Sequence, residues 1–204
     1  MALHNDVFKQ QIWGFLCDDL ESCLAVSQIV QFFPKNTIFK GGLNFTAALA
    51  IFSVIELATG YYTGKKTTTR AVADFLGKYF APDFPAFKDK PFAMKFYEIF
   101  RHGLAHGWSP KAGGVAMDFR RDWALRFIKT QDGSEKIPSL NIPTFFEITK
   151  KALQGFESDL DKDSNLQAKF SRRYKALIDG DYKAMRDFRE MFLRLKRPSE
   201  TKSV

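Results

Sequence analysis

The stretch LNFTAALAIFSVIELATGYY, residues 43–62, is the most apolar part of the chain and predicts its central helix. Because apolar side chains would lie on nearly all sides of that helix, we expect it to be buried in the core. Glu56 is the exception within the stretch. A buried carboxylate is costly unless it is paired or protonated, so we expect Glu56 to bind the guanidinium of Arg101 or Arg70. Alternatively, Glu56 faces a solvent-filled gap between helices.

Apolar residues at helical spacing predict further helices on both sides of this stretch. The first covers residues 5–33, with Asn5 or Asp6 as its cap and Pro34 at its end. Thr68 or Thr69 caps a short helix over residues 70–80. After a turn-rich connection, Asp89 and Pro91 mark the start of a third helix, because proline is tolerated in a helix's first turn.

The pattern changes after residue 111. Weak alternation between residues 114 and 142 predicts two or three short strands with a hairpin turn at Asp132-Gly133, and Asn141 caps a helix that starts at Pro143. Residues 165–197 hold ten basic and four acidic residues, so they carry +6 of the total charge of +8. Their apolar spacing predicts two amphipathic helices joined around Gly180.

These elements predict a mainly α-helical fold in a single domain over residues 1–204. Core helices occupy about residues 5–111, short strands about 114–142, and basic C-terminal helices about 143–197. With 45% hydrophobic residues and 22 phenylalanines, the chain can bury a sizeable core.

Composition favours a cytoplasmic protein with an anionic partner. The net charge of +8 and a pI of about 9.4 suit such a partner, although a soluble basic protein without one has the same charge. Cys17 and Cys23 do not share a helix face, so we expect ordinary thiols in a reducing compartment. The first residues do not resemble a secretory signal, and residues 43–59 are short for a membrane span. We therefore expect no membrane association.

The densest chemistry lies in Arg101-His102-Gly103-Leu104-Ala105-His106, which holds two of the three histidines. Arginine offers a fork of donors for phosphate oxygens, and imidazole can take or give a proton near neutral pH. In a regular helix Arg101 and His106 would lie about 140° apart around the axis and about 7.5 Å apart along it. Either the helix loosens near Gly103, or a second copy of the chain completes the site.

This six-residue motif resembles the Arg-polar-x-x-x-His motif of the HEPN superfamily, the higher eukaryotes and prokaryotes nucleotide-binding domains. The aromatic-rich helix that leads into it, residues 96–100, is also similar, and the resemblance covers roughly residues 43–111. It implies a HEPN-like helical bundle, here with a small β-hairpin insertion and C-terminal helices. It also implies a homodimer with the two motifs meeting at the interface, and metal-independent ribonuclease activity. A toxin branch of the family carries tyrosine where this chain has Trp108, so the resemblance does not extend to that branch.

The expected roles follow from that resemblance and from the chemistry of RNA cleavage. His106 would transfer the proton, Arg101 would hold the phosphate and His102 would orient or assist. Glu56 would support Arg101, and Gly103 would permit close approach of the partner helix.

Further basic and aromatic residues are expected to bind RNA without taking part in the chemistry. They are Lys111, Trp108, Arg172 and Arg173. The expected partners are a second copy of the chain, RNA or a nucleotide, and a regulatory protein, with no cofactor.

The sequence is compatible with two alternatives. In the first, the chain is a non-catalytic HEPN-like module that binds a nucleotide or a protein partner. In the second, His102 and His106, four residues apart, ligate a metal ion.

Overall fold

The computed structural model describes residues 3–30, 44–104, 113–120, 122–129, 133 and 136–196. Within them the chain is mainly helical, with one small sheet, which confirms the predicted class. Helix α1 is α-helical over Leu3–Val7, a π-helix over Phe8–Cys17 and α-helical again over Asp18–Val30. The others are α2 (Asn44–Thr63), α3 (Thr69–Phe75, continued as a π-helix over Leu76–Phe80), a 3₁₀ turn (Pro85–Lys88), α4 (Lys90–Tyr97, continued as a π-helix over Glu98–His102), α5 (Ile142–Lys162) and α6 (Ser164–Lys196).

Helix α2 is the centre of the core, as its apolar sequence predicts. It contacts α1, α3, α5 and α6 and the first strand of the sheet. Phe52 lies at 0% exposure and its ring meets those of Phe96, Tyr97 and Phe145. By length and composition alone α2 could also cross a membrane, but 56% of its apolar window is buried inside this fold.

The sheet has three strands, β1 (Gly114–Ala116), β2 (Leu125–Lys129) and β3 (Lys136–Asn141), in the order β1-β3-β2. Strands β2 and β3 form the predicted antiparallel hairpin, with Leu125 opposite Leu140. Gly133, with φ +73°, lies where the turn was predicted. Strand β1 pairs with β3 in parallel, which the alternating pattern could not reveal.

One predicted N-cap is wrong, because helix α1 begins at Leu3 and Asn5 and Asp6 lie inside it. Asn141 is the N-cap residue of α5, as predicted, but its side chain makes no capping bond to the helix backbone. Instead the buried amide accepts from Asp118 N at 2.9 Å and donates to Asp118 O and Thr144 Oγ1, each at 3.0 Å. These bonds fix the segment after β1 to the start of α5. The predicted cap at Thr68 is confirmed, since its hydroxyl accepts from Ala71 N at 3.2 Å. Pro34, the predicted end of the first helix, lies outside the described residues.

The predicted break at Gly180 is also wrong. Helix α6 runs without interruption for 33 residues and passes through Gly180. A glycine inside a helix costs only about 1 kcal/mol relative to alanine. That is too little to end a helix whose apolar residues keep their spacing on both sides.

Candidate functional site

The site is built on α4, which starts as predicted after Asp89, with Pro91 in its first turn. The chain is α-helical to Tyr97 and then widens into a π-helical turn over Glu98–His102. Such turns shift backbone hydrogen bonds to i→i+5 and often occur at functional sites. The helix therefore loosens immediately before Gly103, as one of the two expectations for the motif has it. The position of His106 relative to Arg101 lies outside the described residues.

The π turn presents Arg101 to Glu56 on α2. Arg101 Nε lies 2.6 Å from Glu56 Oε1 and Arg101 Nη2 lies 3.0 Å from Glu56 Oε2, a bidentate pair. Both side chains are mostly buried, at 22% and 23% exposure. The predicted pairing of Glu56 is thus confirmed with Arg101, while Arg70 is exposed on α3.

Tyr97 completes this cluster, and the sequence reasoning missed it. Its hydroxyl donates to Glu56 Oε1, so one carboxylate accepts from both a phenol and a guanidinium. The one signal in the sequence was its position four residues before Arg101, on the same side of a helix.

Burial and charge fix the protonation of this cluster. The hydrogen bonds with Glu56 raise the pKa of Arg101. Burial, and after it the bond to Glu56, raises the pKa of Tyr97 well above that of a free phenol. Tyr97 is therefore a neutral donor and Arg101 a cation throughout the physiological pH range.

His102 lies against the same tyrosine. Its ring centroid is 5.3 Å from that of Tyr97, at an interplanar angle of 71°. In a regular α-helix these two residues, five apart, would point about 140° away from each other. The π turn is thus what brings His102 to the cluster of Glu56, Tyr97 and Arg101.

Gly103 is buried by its own chain and keeps a helical conformation. Its expected role at an interface between two chains is a prediction that this single chain does not test. Three of the expected site residues, His106, Trp108 and Lys111, lie outside the described residues, and so does the geometry of the His102/His106 metal alternative. Among the described residues there is no group of three or more histidine, cysteine or carboxylate side chains that could hold a metal ion.

Arg172 and Arg173 lie elsewhere, at the C-terminal end of α2. A Cβ on Gly64, where φ is +70°, would come within 2.8 Å of Arg172 Nη2, and one on Gly60 within 3.1 Å of Arg173 Nε. Cations are favourable beside the carbonyls at a helix C-terminus, so these arginines stabilise α2. Gly64 is about 12 Å along the helix axis from Glu56. The structure therefore does not bring this pair next to Arg101.

The loop after α2 adds more positive charge to that end. Lys65 and Lys66 are exposed, and Thr67 Oγ1 donates to Glu56 O at 2.8 Å, which folds the loop back along the helix. Lys65, Lys66, Arg172 and Arg173 thus form a group of four cations at the C-terminal end of α2.

Comparisons with known proteins give no further assignment. No protein-family model matches the chain, and neither the curated proteins nor the solved structures contain a match to it.

Proposed function

We propose that this chain is a HEPN-like, RNA-binding domain that acts as a metal-independent endoribonuclease, through Arg101 and His106 of two chains in a homodimer. The observation that carries the proposal is the clamp of Glu56 and Tyr97 on Arg101, at the π turn that also holds His102. A guanidinium held in one orientation loses little entropy when it meets a phosphate. The net charge of +8 supports an anionic ligand.

RNA carries its own nucleophile, so the protein has few steps to perform. A neutral imidazole of His106 takes the proton of a 2′-hydroxyl, and that oxygen attacks the adjacent phosphorus. The bond from phosphorus to the 5′-oxygen breaks, and the leaving oxygen takes a proton from the His106 imidazolium that formed in the first step. The products are a 2′,3′-cyclic phosphate and a 5′-hydroxyl. Arg101 neutralises the charge that builds up on the phosphate.

The geometry of the clamp assigns particular atoms of Arg101 to this task. Nε and one proton of Nη2 are used by Glu56. A guanidinium has five N–H donors, so Nη1 and the second proton of Nη2 are the donors that would meet the phosphate. His102 would orient the substrate beside them, while Lys111 and Trp108 would hold flanking nucleotides. Arg172 and Arg173 would contact the RNA backbone further along α2.

A second candidate function is a non-catalytic module that binds a nucleotide or a regulatory protein. The same clamp favours it, because Glu56 occupies one edge of the fork that a bidentate phosphate contact would need. Such a module would bind RNA or a nucleotide and leave it uncut.

The test compares the wild type with Arg101→Ala and His106→Ala on mixed single-stranded RNA in EDTA. Arg70→Ala is the matched control, since Arg70 is an exposed arginine outside the cluster. We expect cleavage by the wild type and by the control, a loss of at least about 100-fold in both site variants, and a rate that rises with pH through the range where imidazole ordinarily titrates. A wild type that binds RNA without cutting it would establish the binding module instead. Equal cleavage by all four proteins would place the activity at another site.

A further inference from the structure

The second half of α6 extends beyond the body of the protein with an apolar face exposed. The first half of α6 packs on the body of the protein, where Leu166 is 3% and Phe170 0% exposed. From Asp179 to Leu193, every residue is exposed. Six large apolar side chains in this half are 46–67% exposed: Tyr182, Met185, Phe188, Met191, Phe192 and Leu193.

Four of these side chains form one stripe. At about 100° per residue, Met185, Phe188, Met191 and Phe192 fall within an arc of about 120° on the helix. The rings of Phe188 and Phe192 stack at 6.3 Å between centroids. Lys183, Arg186 and Glu190 lie on the opposite side, together with Tyr182 and Leu193. The stripe of four is therefore the continuous apolar face of this half-helix, of the kind that packs against another helix.

We infer that this stripe, which we call the α6 stripe (Met185, Phe188, Met191 and Phe192), is an interface with a second copy of the chain, and that the two helices run antiparallel and cross near Phe188. The four side chains of the stripe are 46–67% exposed and present on the order of 450 Å² of surface, about the largest apolar patch that a monomer leaves exposed. Two such faces packed together bury roughly 900 Å², the size of a weak or transient interface.

The direction follows from charge. Asp181 lies seven residues before Phe188 and so falls on the α6 stripe itself. A parallel pair would place two Asp181 carboxylates against each other, which is unfavourable. An antiparallel pair centred on Phe188 separates the two Asp181 carboxylates by about 21 Å along the axis.

The polar side of this half-helix disfavours a lipid surface as the occupant. Helices that lie on anionic membranes have a polar face rich in lysine and arginine. Here Asp187 and Glu190 alternate with Lys183 and Arg186 at i,i+4 spacing. This mixture is typical of solvent-exposed faces in helix–helix assemblies.

The inference does not depend on the proposed function, because the α6 stripe is separate from the Arg101 cluster. It is tested by light scattering at micromolar concentration on the wild type, Phe188→Glu and the matched control Arg186→Gln. Both substitutions change the charge by one unit in the same direction, and both replace an exposed side chain. For a chain of 23.4 kDa, we expect wild type and control to have the mass of a multimer and Phe188→Glu to have half of it.

Far-ultraviolet circular dichroism of Phe188→Glu should match that of the wild type, which separates lost association from lost folding. The direction is tested with Ala184→Cys under oxidising conditions, because Ala184 is an exposed residue on the same face and its substitution leaves Asp181 in place. The two positions 184 are about 12 Å apart along the axis in the antiparallel pair, beyond the reach of a disulfide, so peptide mapping should find no disulfide between two copies at this position. A monomeric wild type, a Phe188→Glu variant that keeps the full mass, or a disulfide at position 184 would overturn the inference.

Discussion

Glu56 places a carboxylate on the most apolar helix of the chain, and the structure offsets its cost with two donors, Tyr97 and Arg101. The sequence could predict that Glu56 needs a partner, because a charge in an apolar stretch is visible from composition alone. The sequence does not distinguish Arg70 from Arg101 as that partner, because it does not give the distance of either arginine from Glu56. Tyr97 could not be predicted, because a tyrosine in an aromatic-rich helix has the same pattern whether its hydroxyl is bonded or exposed.

Removing this carboxylate should destabilise the fold. Glu56→Ala leaves Arg101 and Tyr97 without their acceptor, and we expect a loss of about 1–3 kcal/mol in the free energy of unfolding. Glu98→Ala is the control, because Glu98 belongs to an exposed pair with Lys95 at 3.4 Å and such pairs contribute about 0–1 kcal/mol. Chemical denaturation measures both.

A double-mutant cycle identifies the cause of that loss. If the pair acts as a unit, the double variant of Glu56→Ala with Arg101→Ala should lose less than the two single variants together. Additive losses would mean that Glu56 contributes by packing alone.

The two free cysteines should differ sharply in reactivity. Burial, and after it the nearby carboxylate of Glu21, raises the pKa of the Cys17 thiol to about 11. At a pH below this pKa the thiol is neutral, and alkylation needs the thiolate. Cys17 should therefore resist iodoacetamide near pH 8. Cys23 is only half-buried and should be modified. Peptide mass spectrometry reads out both sites, and equal labelling would show that Cys17 is not protected.

The helices and strands were predictable where local chemistry marks them. The predicted range 43–62 lies within one residue of α2 at each end, and Thr68 caps α3. The π turn of α4 has no comparable signal in the sequence, such as a capping residue or an apolar run. Helical positions counted at 100° per residue assume i→i+4 bonding throughout, so the contact between Tyr97 and His102, five residues apart, was out of reach. Gly180 predicts a break because glycine often follows the end of a helix.

Two glycines in contrasting surroundings should respond in opposite directions to substitution by alanine. Gly180 lies inside α6 with no atom within 4 Å of an added Cβ, whereas Gly64 has φ +70° and crowded surroundings. Gly180→Ala should raise helicity and stabilise α6 by about 0.5–1 kcal/mol. Gly64→Ala should cost at least about 1–2 kcal/mol. Circular dichroism melts measure both changes, and a loss of helicity in Gly180→Ala would restore the predicted break.

For the whole molecule, the sequence could predict the layout of the elements but not which surfaces stay exposed. Phe170 and Phe188 have the same kind of apolar spacing on α6, yet one is 0% and the other 67% exposed. The periodicity of a helix tells which side is apolar. It does not tell where the neighbouring elements end, and that decides what is covered.

The length of α6 determines how the molecule moves in solution. The exposed part of this helix, residues 179–193, measures about 22 Å, which is more than the radius of gyration of about 17 Å that a compact chain of this size has. A body with such an arm diffuses more slowly than a sphere of equal mass. Its elution from a sizing column therefore overstates its mass even for a single copy, so only a method that weighs particles independently of shape can count the chains in an assembly.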